Sequence, residues 1–275
     1  LLDYLTIRNF TMQGIEITPS TSTTIDRVAF SGNTSDVLLN AANSVLTNIT
    51  SIGGGFTLNN ATGTTTLTNL NLTGGTGLSF ANAGGTINGT NVDITNPTGA
   101  GITVSGGTAA FNFDSTSSVI KANAGAALSI GGGHATGTFA YAGTLNIGNG
   151  TGLQFDNADG TYNFTGTTTL NGGDAGIDIL NGSAGSFTFG TGTSITSPSG
   201  AAFNVSDSTA TVTYSGGITQ ANNAALVSIL NHSGGTITFQ TGVLGATNGT
   251  GLQFDNAGGS YDFTGTATLN GGNAG

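Results

Sequence analysis

The chain has 275 residues, 49 of them Gly, and its 13 acidic and three basic residues give a net charge of −10. The absence of Cys excludes a disulfide scaffold, a thiolate zinc site and a Cys nucleophile. Three basic residues, Arg8, Arg27 and Lys121, are too few for a nucleic-acid-binding surface. No apolar run approaches the roughly 18 residues of a membrane-spanning helix, so no such segment is predicted.

The N-terminal part of the chain, residues 1–75, predicts short turns of a repeating β-structure. Pairs of apolar residues separated by one residue recur every 19–22 positions, which is typical of short, half-buried strands. Asn48, Asn69 and Asn91 precede similar pairs at steps of 21 and 22. They predict a column of stacked amides at a tight corner. The apolar pairs are Ile15/Ile17, Val37/Leu39 and Phe56/Leu58.

From residue 76 the same pattern continues with a longer period. The pairs lie 24–26 positions apart, and the residue between the two apolar members is polar in each of them. We therefore expect the apolar members to face inward and the polar residues to face outward. The pairs are Leu78/Phe80, Ile102/Val104, Leu128/Ile130, Leu153/Phe155, Ile177/Ile179, Phe203/Val205, Val227/Ile229 and Leu252/Phe254.

Two further series predict two more strands in each unit. Both repeat at nearly the same period, and their Phe and Tyr residues are expected to lie in the core. The second series is Tyr162/Phe164, Phe187/Phe189, Val212/Tyr214, Ile237/Phe239 and Tyr261/Phe263. The third and weaker series is Leu70/Leu72, Val92/Ile94, Leu145/Ile147, Leu170, Ile195, Ile218 and Leu269.

A longer repeat spans four of these units. The segment from Asn149 to Gly176 returns from Asn248 to Gly275 at an offset of 99, and 23 of its positions are identical. Such self-similarity is the signature of a repeat architecture. We predict a four-unit, 99-residue super-repeat within residues 76–275.

Three short strands in each of about eleven units of roughly 20–26 residues predict an all-β fold, a parallel β-helix in which each unit is one turn. Turns that stack about 4.8 Å apart give a rod on the order of 50 Å long. Helices are not expected, because helical spacing is absent and Gly is frequent. Residues 1–275 are predicted to form a single β-helix, with shorter turns over residues 1–75, and to be a segment of a longer chain.

The turn length, the Asn corner and the motif Gly-x-Gly-apolar-x-apolar at residues 150–155 and 249–254 resemble the right-handed parallel β-helix of the pectin-lyase-like fold. Within that fold, the chain is most similar to passenger or repeat domains of bacterial autotransporters, filamentous-haemagglutinin-like exoproteins and large repeat adhesins. The resemblance implies an extracellular location at the bacterial cell surface. The partners it implies are cell-surface or matrix components, glycans among them, and further copies of the rod.

The main hypothesis for function is a structural stalk or passenger segment of a surface adhesin or fibre, with no catalysis and no cofactor. The alternative is a carbohydrate-active enzyme or tailspike-like depolymerase, which needs at least two carboxylates facing one groove. Asp156 and Asp255 hold equivalent positions four turns apart, about 19 Å, which is too far for a catalytic pair. The neighbouring carboxylates are interpreted as exposed turn residues: Asp156/Asp159, Asp174/Asp178 and Asp255/Asp262.

No catalytic or cofactor-binding residue is predicted. His134 and His232 have no His, Cys or paired acid at metal-ligand spacing, and we expect them to be loop residues. Residues 172–178 resemble a calcium-binding nonapeptide, but one residue too many precedes the third Gly, and the period is 25 rather than 9. Sparse calcium binding at Asp or Asn corners stays open, so metal binding is undecided.

Overall fold

The structure is a computed structural model that describes residues 1–174 and 176–273. Among these residues there are 26 strands, and no helix is long and apolar enough to cross a membrane. The strands are β1 (Leu2–Arg8), β2 (Gln13–Ser31), β3 (Ser35–Ile52), β4 (Gly55–Asn59), β5 (Thr64–Thr73), β6 (Gly77–Ala81), β7 (Thr86–Thr95), β8 (Ile102–Ser105), β9 (Ala110–Phe113), β10 (Ser118–Lys121), β11 (Ala126–Tyr141), β12 (Thr144–Ile147), β13 (Gly152–Phe164), β14 (Thr167–Asn171), β15 (Gly176–Leu180), β16 (Ser186–Phe189), β17 (Thr193–Thr196), β18 (Phe203–Ser208), β19 (Thr211–Tyr214), β20 (Gly217–Gln220), β21 (Ala225–His232), β22 (Thr236–Phe239), β23 (Val243–Ala246), β24 (Gly251–Asp255), β25 (Ser260–Phe263) and β26 (Thr266–Leu269).

The strands form one parallel sheet that winds into a β-solenoid of about 11 turns. Each strand pairs with strands of the turns before and after it, so the backbone hydrogen bonds run along the axis of the solenoid. Side chains alternate between the inside and the outside along each strand. The predicted all-β, parallel β-helix is confirmed.

The first apolar series lines one side of the core without a break. Leu78 pairs with Ile102 and Ile102 with Leu128, and the pairing continues turn by turn to Leu252. The same register joins the earlier turns through Val37. All the predicted inward pairs of this series therefore stack on one another, and the polar residues between them form an outward column.

The second series supplies most of the aromatic core. The ring centroids of Tyr162 and Phe187 lie 4.7 Å apart in stacked geometry, and those of Phe164 and Phe189 lie 5.2 Å apart. Phe155 of the first series meets the Phe187 ring edge-on, with the centroids 5.0 Å apart. Stacked and edge-on ring pairs contribute stability beyond their buried area, so the two series together build a single core.

The third series is in register from Leu70 to Val92 and again from Ile147 to Ile218. Between these two runs it departs from the prediction, because Ile94 rather than Val92 aligns with Leu145, through Val119 of the turn between them. It departs again after Ile218. Ile218 pairs with Leu244, whereas Leu269 pairs with Ala246. The predicted position of Leu269 in this series is therefore wrong by two positions. Each strand of this series has two inward positions, and Leu269 occupies the second because Ala267 lies opposite Leu244.

Single-residue corners explain the long strands β2, β3, β5 and β7, which continue around them. Asn48, Asn69 and Asn91 adopt φ values of 55°, 55° and 52°, in the left-handed region that Asn tolerates. The Asn69 amide donates to Oδ1 of Asn48 (2.9 Å), and the Asn91 amide donates to Oδ1 of Asn69 (3.0 Å). The predicted column of stacked amides is confirmed.

Phe155 and Phe254 occupy equivalent positions in the two copies of the super-repeat and provide a matched test of the core. Phe155 is fully buried, whereas Phe254 is 42% exposed. We expect Phe155→Ala to lower the free energy of unfolding by about 3–5 kcal/mol, as for other buried aromatics, and Phe254→Ala to lower it clearly less. Urea unfolding of the 275-residue chain measures both effects, and equal losses would contradict the described packing.

Candidate functional site

A second column of corner residues follows the first apolar series, and two of its side chains are missing. From Asn60 onward the corner residue has positive φ in each turn, and in most of these turns it is Asn or Asp. In two successive turns Gly106 and Gly132 replace it, with φ values of 68° and 64°. We call this interruption the corner gap. The other members of the column are Asn60, Asn82, Asn157, Asn181, Asp207, Asn231 and Asn256.

The corner gap opens into a groove of about 440 Å³ on the outside of the solenoid. Its walls come from three successive turns, because β8, β11 and β13 lie side by side there. Gly131 and Gly132 form the lowest part of the wall, since neither has a side chain. The groove is lined by Thr103, Val104, Ser105, Ser129, Gly131, Gly132, Asp156 and Asn157.

The local backbone accounts for the glycines of the groove. Between Gly131 and His134 the strand β11 has one residue more than the facing part of β13, so the pairing shifts at this corner. A Cβ atom at Gly131 would lie 2.6 Å from the carbonyl oxygen of Asp156, which no side chain tolerates. The extra residue and the missing side chains together leave the depression open.

The polar side chains of the groove make no hydrogen bonds within the described part of the protein. This holds for Thr103, Ser105, Ser129, Asp156 and Asn157. The next turns of the same outward column behave differently, because the Gln154 amide donates to Oδ2 of Asp178 (2.6 Å) and the Asn204 amide donates to Oδ1 (3.1 Å). The groove therefore presents hydroxyl, amide and carboxylate groups that remain free for a ligand.

The six carboxylates considered from the sequence do not converge on one site. Asp156 lies in the groove, and Asp255 lies four turns further along the same column, as predicted. Asp159 accepts the backbone N–H of Ala184 (2.9 Å) in the next turn. Asp174 and Asp262 are exposed. The segment 172–178, which resembles a calcium-binding nonapeptide in sequence, includes position 175, and that position lies outside the described residues.

The interpretation of Asp178 as an exposed turn residue is wrong. Asp178 lies in the middle of β15, is half-buried, and is held between Gln154 and Asn204. Burial raises the pKa of its carboxyl group, and the hydrogen bonds from the two amides oppose that shift. The outward position was predicted correctly, but the flanking amides cover it.

The prediction that His134 and His232 are loop residues is also wrong. Both are fully buried inward residues of strands β11 and β21. Nε2 of His134 donates to the carbonyl oxygen of Ala109 (3.1 Å), and Nδ1 lies 3.1 Å from the Tyr162 hydroxyl. His232 repeats these contacts with Ala210 (3.0 Å) and with Tyr261 (2.8 Å).

The His134 pair is a closed polar contact inside the core. The Tyr162 hydroxyl also accepts the backbone N–H of Gly160 (3.0 Å), so both side chains have their polar atoms paired. Burial lowers the pKa of His134, and its bond to Ala109 opposes the shift. Because the folded protein favours the neutral ring, His134 stabilises the fold fully when the pH is above the ordinary pKa of histidine. This stabilisation is lost as the pH falls.

Lys121 is a buried cation, which nothing in its sequence neighbourhood reveals. It takes an inward position of β10, opposite Ile147 of the next turn. Its Nζ donates to the carbonyl oxygens of Pro97 (2.7 Å) and Gly99 (2.9 Å) and to Oδ1 of Asn123 (3.0 Å). Burial lowers its pKa. Its role is to donate hydrogen bonds to the backbone carbonyl groups of the corner that contains Pro97.

Gln220 lies 99 residues after Lys121, which is one super-repeat further along the chain, and it performs the same role. Its amide donates to the carbonyl oxygens of Pro198 (3.1 Å) and Gly200 (3.0 Å). Asn222 also donates to Pro198 (3.1 Å), as Asn123 does to Pro97 in the first copy (3.0 Å). The correspondence between the two copies therefore extends well beyond the segments 149–176 and 248–275 that reveal it in the sequence.

Asp36 is a further buried polar group, and it was not predicted from the sequence. It accepts hydrogen bonds from the Asn33 amide (2.9 Å) and from the Ser51 hydroxyl, and burial raises its pKa. Asn33 also accepts the N–H of Phe10 (3.0 Å), so this cluster joins successive turns. One feature of the sequence reflects this cluster. Position 54 is Gly because a Cβ atom there would lie 2.2 Å from the Asp36 carboxyl group.

No family model, curated relative or solved structure matches the chain. Within residues 1–174 and 176–273, no group of three or more His, Cys, Asp or Glu side chains is placed to hold a metal ion. The groove at the corner gap is therefore the candidate site, on its geometry alone.

Lys121 and Gln220 lead to a prediction about buried polar groups. We expect Lys121→Gln to change the free energy of unfolding by less than about 1 kcal/mol, because Gln already makes the equivalent bonds. Lys121→Met should cost about 1–3 kcal/mol, since it leaves the carbonyl group of Gly99 without a donor and removes one of the two donors to Pro97. Urea unfolding of both variants measures this difference, and a Gln variant as unstable as the Met variant would contradict the assignment.

The burial of Asp178 leads to a prediction about pH. Because the folded state raises its pKa, the fold binds a proton there more tightly than the unfolded chain does, so its stabilising effect is greatest at acid pH and is lost as the pH rises. We expect Asp178→Asn to stabilise the chain at pH 7 and to lose this advantage near pH 3.5. Urea unfolding at both values tests this, with the exposed Asp255→Asn as control, and a gain independent of pH would refute it.

Proposed function

We propose that the chain is a structural rod segment of a bacterial surface adhesin or fibre, acting by mechanical display rather than by catalysis. The observation that carries the proposal is the unbroken apolar core, which passes through all the turns as one cluster. Rods of stacked repeats gain length by adding units and hold together through contacts between neighbours. A segment of this kind separates what lies at its two ends.

The contacts between turns suit a load along or across the rod. Parallel pairing places rows of backbone hydrogen bonds between each turn and the next on three sides of the solenoid. Stacked side-chain amides add a second set at the corners, as in the run Asp207–Asn231–Asn256 with bonds of 2.8 and 2.9 Å. Separating two turns requires breaking these bonds together with the apolar stack between them.

The composition supports a location outside the cell. The chain has no Cys to be oxidised there, and its net charge of −10 favours a well-solvated surface. The resemblance to autotransporter and haemagglutinin-like passenger domains agrees with this location. Surface or matrix components, glycans among them, and neighbouring rods are the proposed partners.

A depolymerase would need a second carboxylate across the groove from Asp156. Among the described residues that line the groove, Asp156 is the one carboxylate. The proposal of a non-catalytic rod therefore fits the groove better than the enzymatic alternative does.

The test combines cell labelling with a shortened rod. Antibodies against the chain should label intact cells of the producing organism without permeabilisation. Deleting residues 152–250 joins equivalent positions of the two super-repeat copies, and we expect the purified product to fold with four turns fewer. Small-angle X-ray scattering should show a rod shorter by about 19 Å.

A deletion of residues 152–238 is the control, since it joins the first apolar series to the second and breaks the register. It should unfold at a clearly lower temperature than the in-register deletion. Labelling seen only after permeabilisation, or release of reducing ends from acidic or neutral polysaccharides by the purified chain, would overturn the proposed function.

A further inference from the structure

We infer that residues 131–138 form an acid-sensitive joint, at which the rod opens locally when the ring of His134 gains a proton. We call these residues the His134 segment. The inference goes beyond the proposed rod function, because a rod needs no response to pH. A fully buried ring that the fold holds in its neutral form lies there in a backbone that is weakly paired and strained.

The surroundings of the His134 ring fit a neutral imidazole. Nε2 donates to the carbonyl oxygen of Ala109, so Nδ1 is the acceptor nitrogen and the Tyr162 hydroxyl can donate to it. Glycines close the space on both sides of the ring. A Cβ atom at Gly137 would lie 2.5 Å from Nε2, and one at Gly160 would lie 3.2 Å from Nδ1. The closed segment thus encloses the ring completely, in agreement with its lack of exposure.

A proton on Nδ1 changes this arrangement. The Tyr162 hydroxyl must then accept from the ring, and its own hydrogen turns to the carbonyl oxygen of His134, 3.1 Å away. The hydrogen bonds survive, but a positive charge remains in the core, and a buried charge without a partner is strongly unfavourable. Burial therefore lowers the pKa of His134.

No carboxylate on the described strands around the ring compensates for that charge inside the core. β8 and β9 contain no titratable residue, and Tyr141 is the other titratable group of β11. On β13 the titratable groups are Tyr162, Asp156 and Asp159. Both carboxylates lie outside the core, and Asp159 already accepts the N–H of Ala184. The charged ring is therefore stabilised by reaching water rather than by an ion pair.

The backbone around the ring favours opening at this place. The register between β11 and β13 shifts before His134 and again after Ala135. On the other side, β8 pairs with β11 up to Gly131, and β9 pairs with it from Thr138 onward. Thr136 has a φ of 58°, a left-handed conformation in which a β-branched residue is strained. Opening of the segment releases that strain.

The second copy of the super-repeat has the same ring in a different backbone. His232 makes the equivalent contacts with Ala210 and Tyr261. It is itself paired with Ser208 of the preceding turn. The positive φ next to it, 50°, belongs to Asn231, which tolerates this conformation. The buried ring therefore occurs in both copies, whereas the strained Thr occurs beside His134.

The expected pH dependence follows from the neutral ring. The ring stabilises the closed segment fully above the ordinary histidine pKa of about 6.5, and this stabilisation is lost as the pH falls below it. We expect the ratio of open to closed His134 segments to rise about tenfold between pH 7.0 and pH 5.5. Hydrogen exchange with mass spectrometry measures this ratio, with labelling times adjusted for the pH dependence of chemical exchange. Strand β5 is the internal reference, because it has no titratable residue, and its protection should not change.

Three variants separate the ring from the backbone. His134→Gln can still donate to Ala109 but cannot become charged, so the segment should open equally at both pH values. His232→Gln, the matched change in the second copy, should leave the tenfold rise in the His134 segment intact. Thr136→Asn relieves the strain, since Asn tolerates a φ near 58°. It should reduce opening at both pH values while the pH dependence remains.

An NMR titration keeps the inference testable if His134→Gln does not fold. The chain has two histidines, so the ring resonance that remains in His232→Gln belongs to His134. The midpoint of its titration should lie below about 6.5. A midpoint at or above that value, an equal loss of protection in β5, or an unchanged pH dependence in a folded His134→Gln would overturn the inference. None of these results bears on whether the rod is displayed on cells.

Discussion

The structure depends on one constraint: each inward side chain must stack on an inward side chain of the next turn, about 4.8 Å away. A turn changes its length at a corner or at a bulge near the start of a strand, as before Leu128 and Val227, because one residue gained or lost further inside a strand would exchange its inner and outer faces. The register from Val37 to Leu252 obeys this rule through turns of different length. The core is one residue pair wide on each side, so no neighbouring element can compensate for an error in register.

The corners therefore absorb most of the variation in turn length, and their backbone conformation decides which residues they accept. Left-handed positions accept Asn, Asp and Gly, and the choice between them has consequences outside the core. Asn48 and Asn69 extend the hydrogen bonding along the rod through their amides. Gly132 contributes no side chain, and the extra residue at that corner widens the space. The groove is thus a product of the same corners that permit the fold.

The fold was predictable because its pattern repeats, so that apolar pairs such as Leu153/Phe155 support one another over many turns. The groove and the buried polar groups were not, since each occurs in one or two turns and interrupts the pattern. Lys121 and His134 find their partners in the neighbouring turn, far from them along the chain. Such contacts can be predicted only when the pairing between neighbouring turns is known to within one residue. Asp178 shows the same limit, because its face was predicted and its covering amides were not.

The two super-repeat copies separate what the fold requires from what it leaves free. Both retain a buried His next to a Tyr hydroxyl, at His134 and His232, and both satisfy a Pro corner from an inward polar residue, although one uses Lys121 and the other Gln220. An unpaired carbonyl in the core is costly in either copy, so these solutions persist. The outer corner carries no such cost, because water pairs with any exposed group. A groove in one copy and a complete column in the other are therefore equally compatible with the solenoid, and a binding site can arise on the rod without disturbing its core.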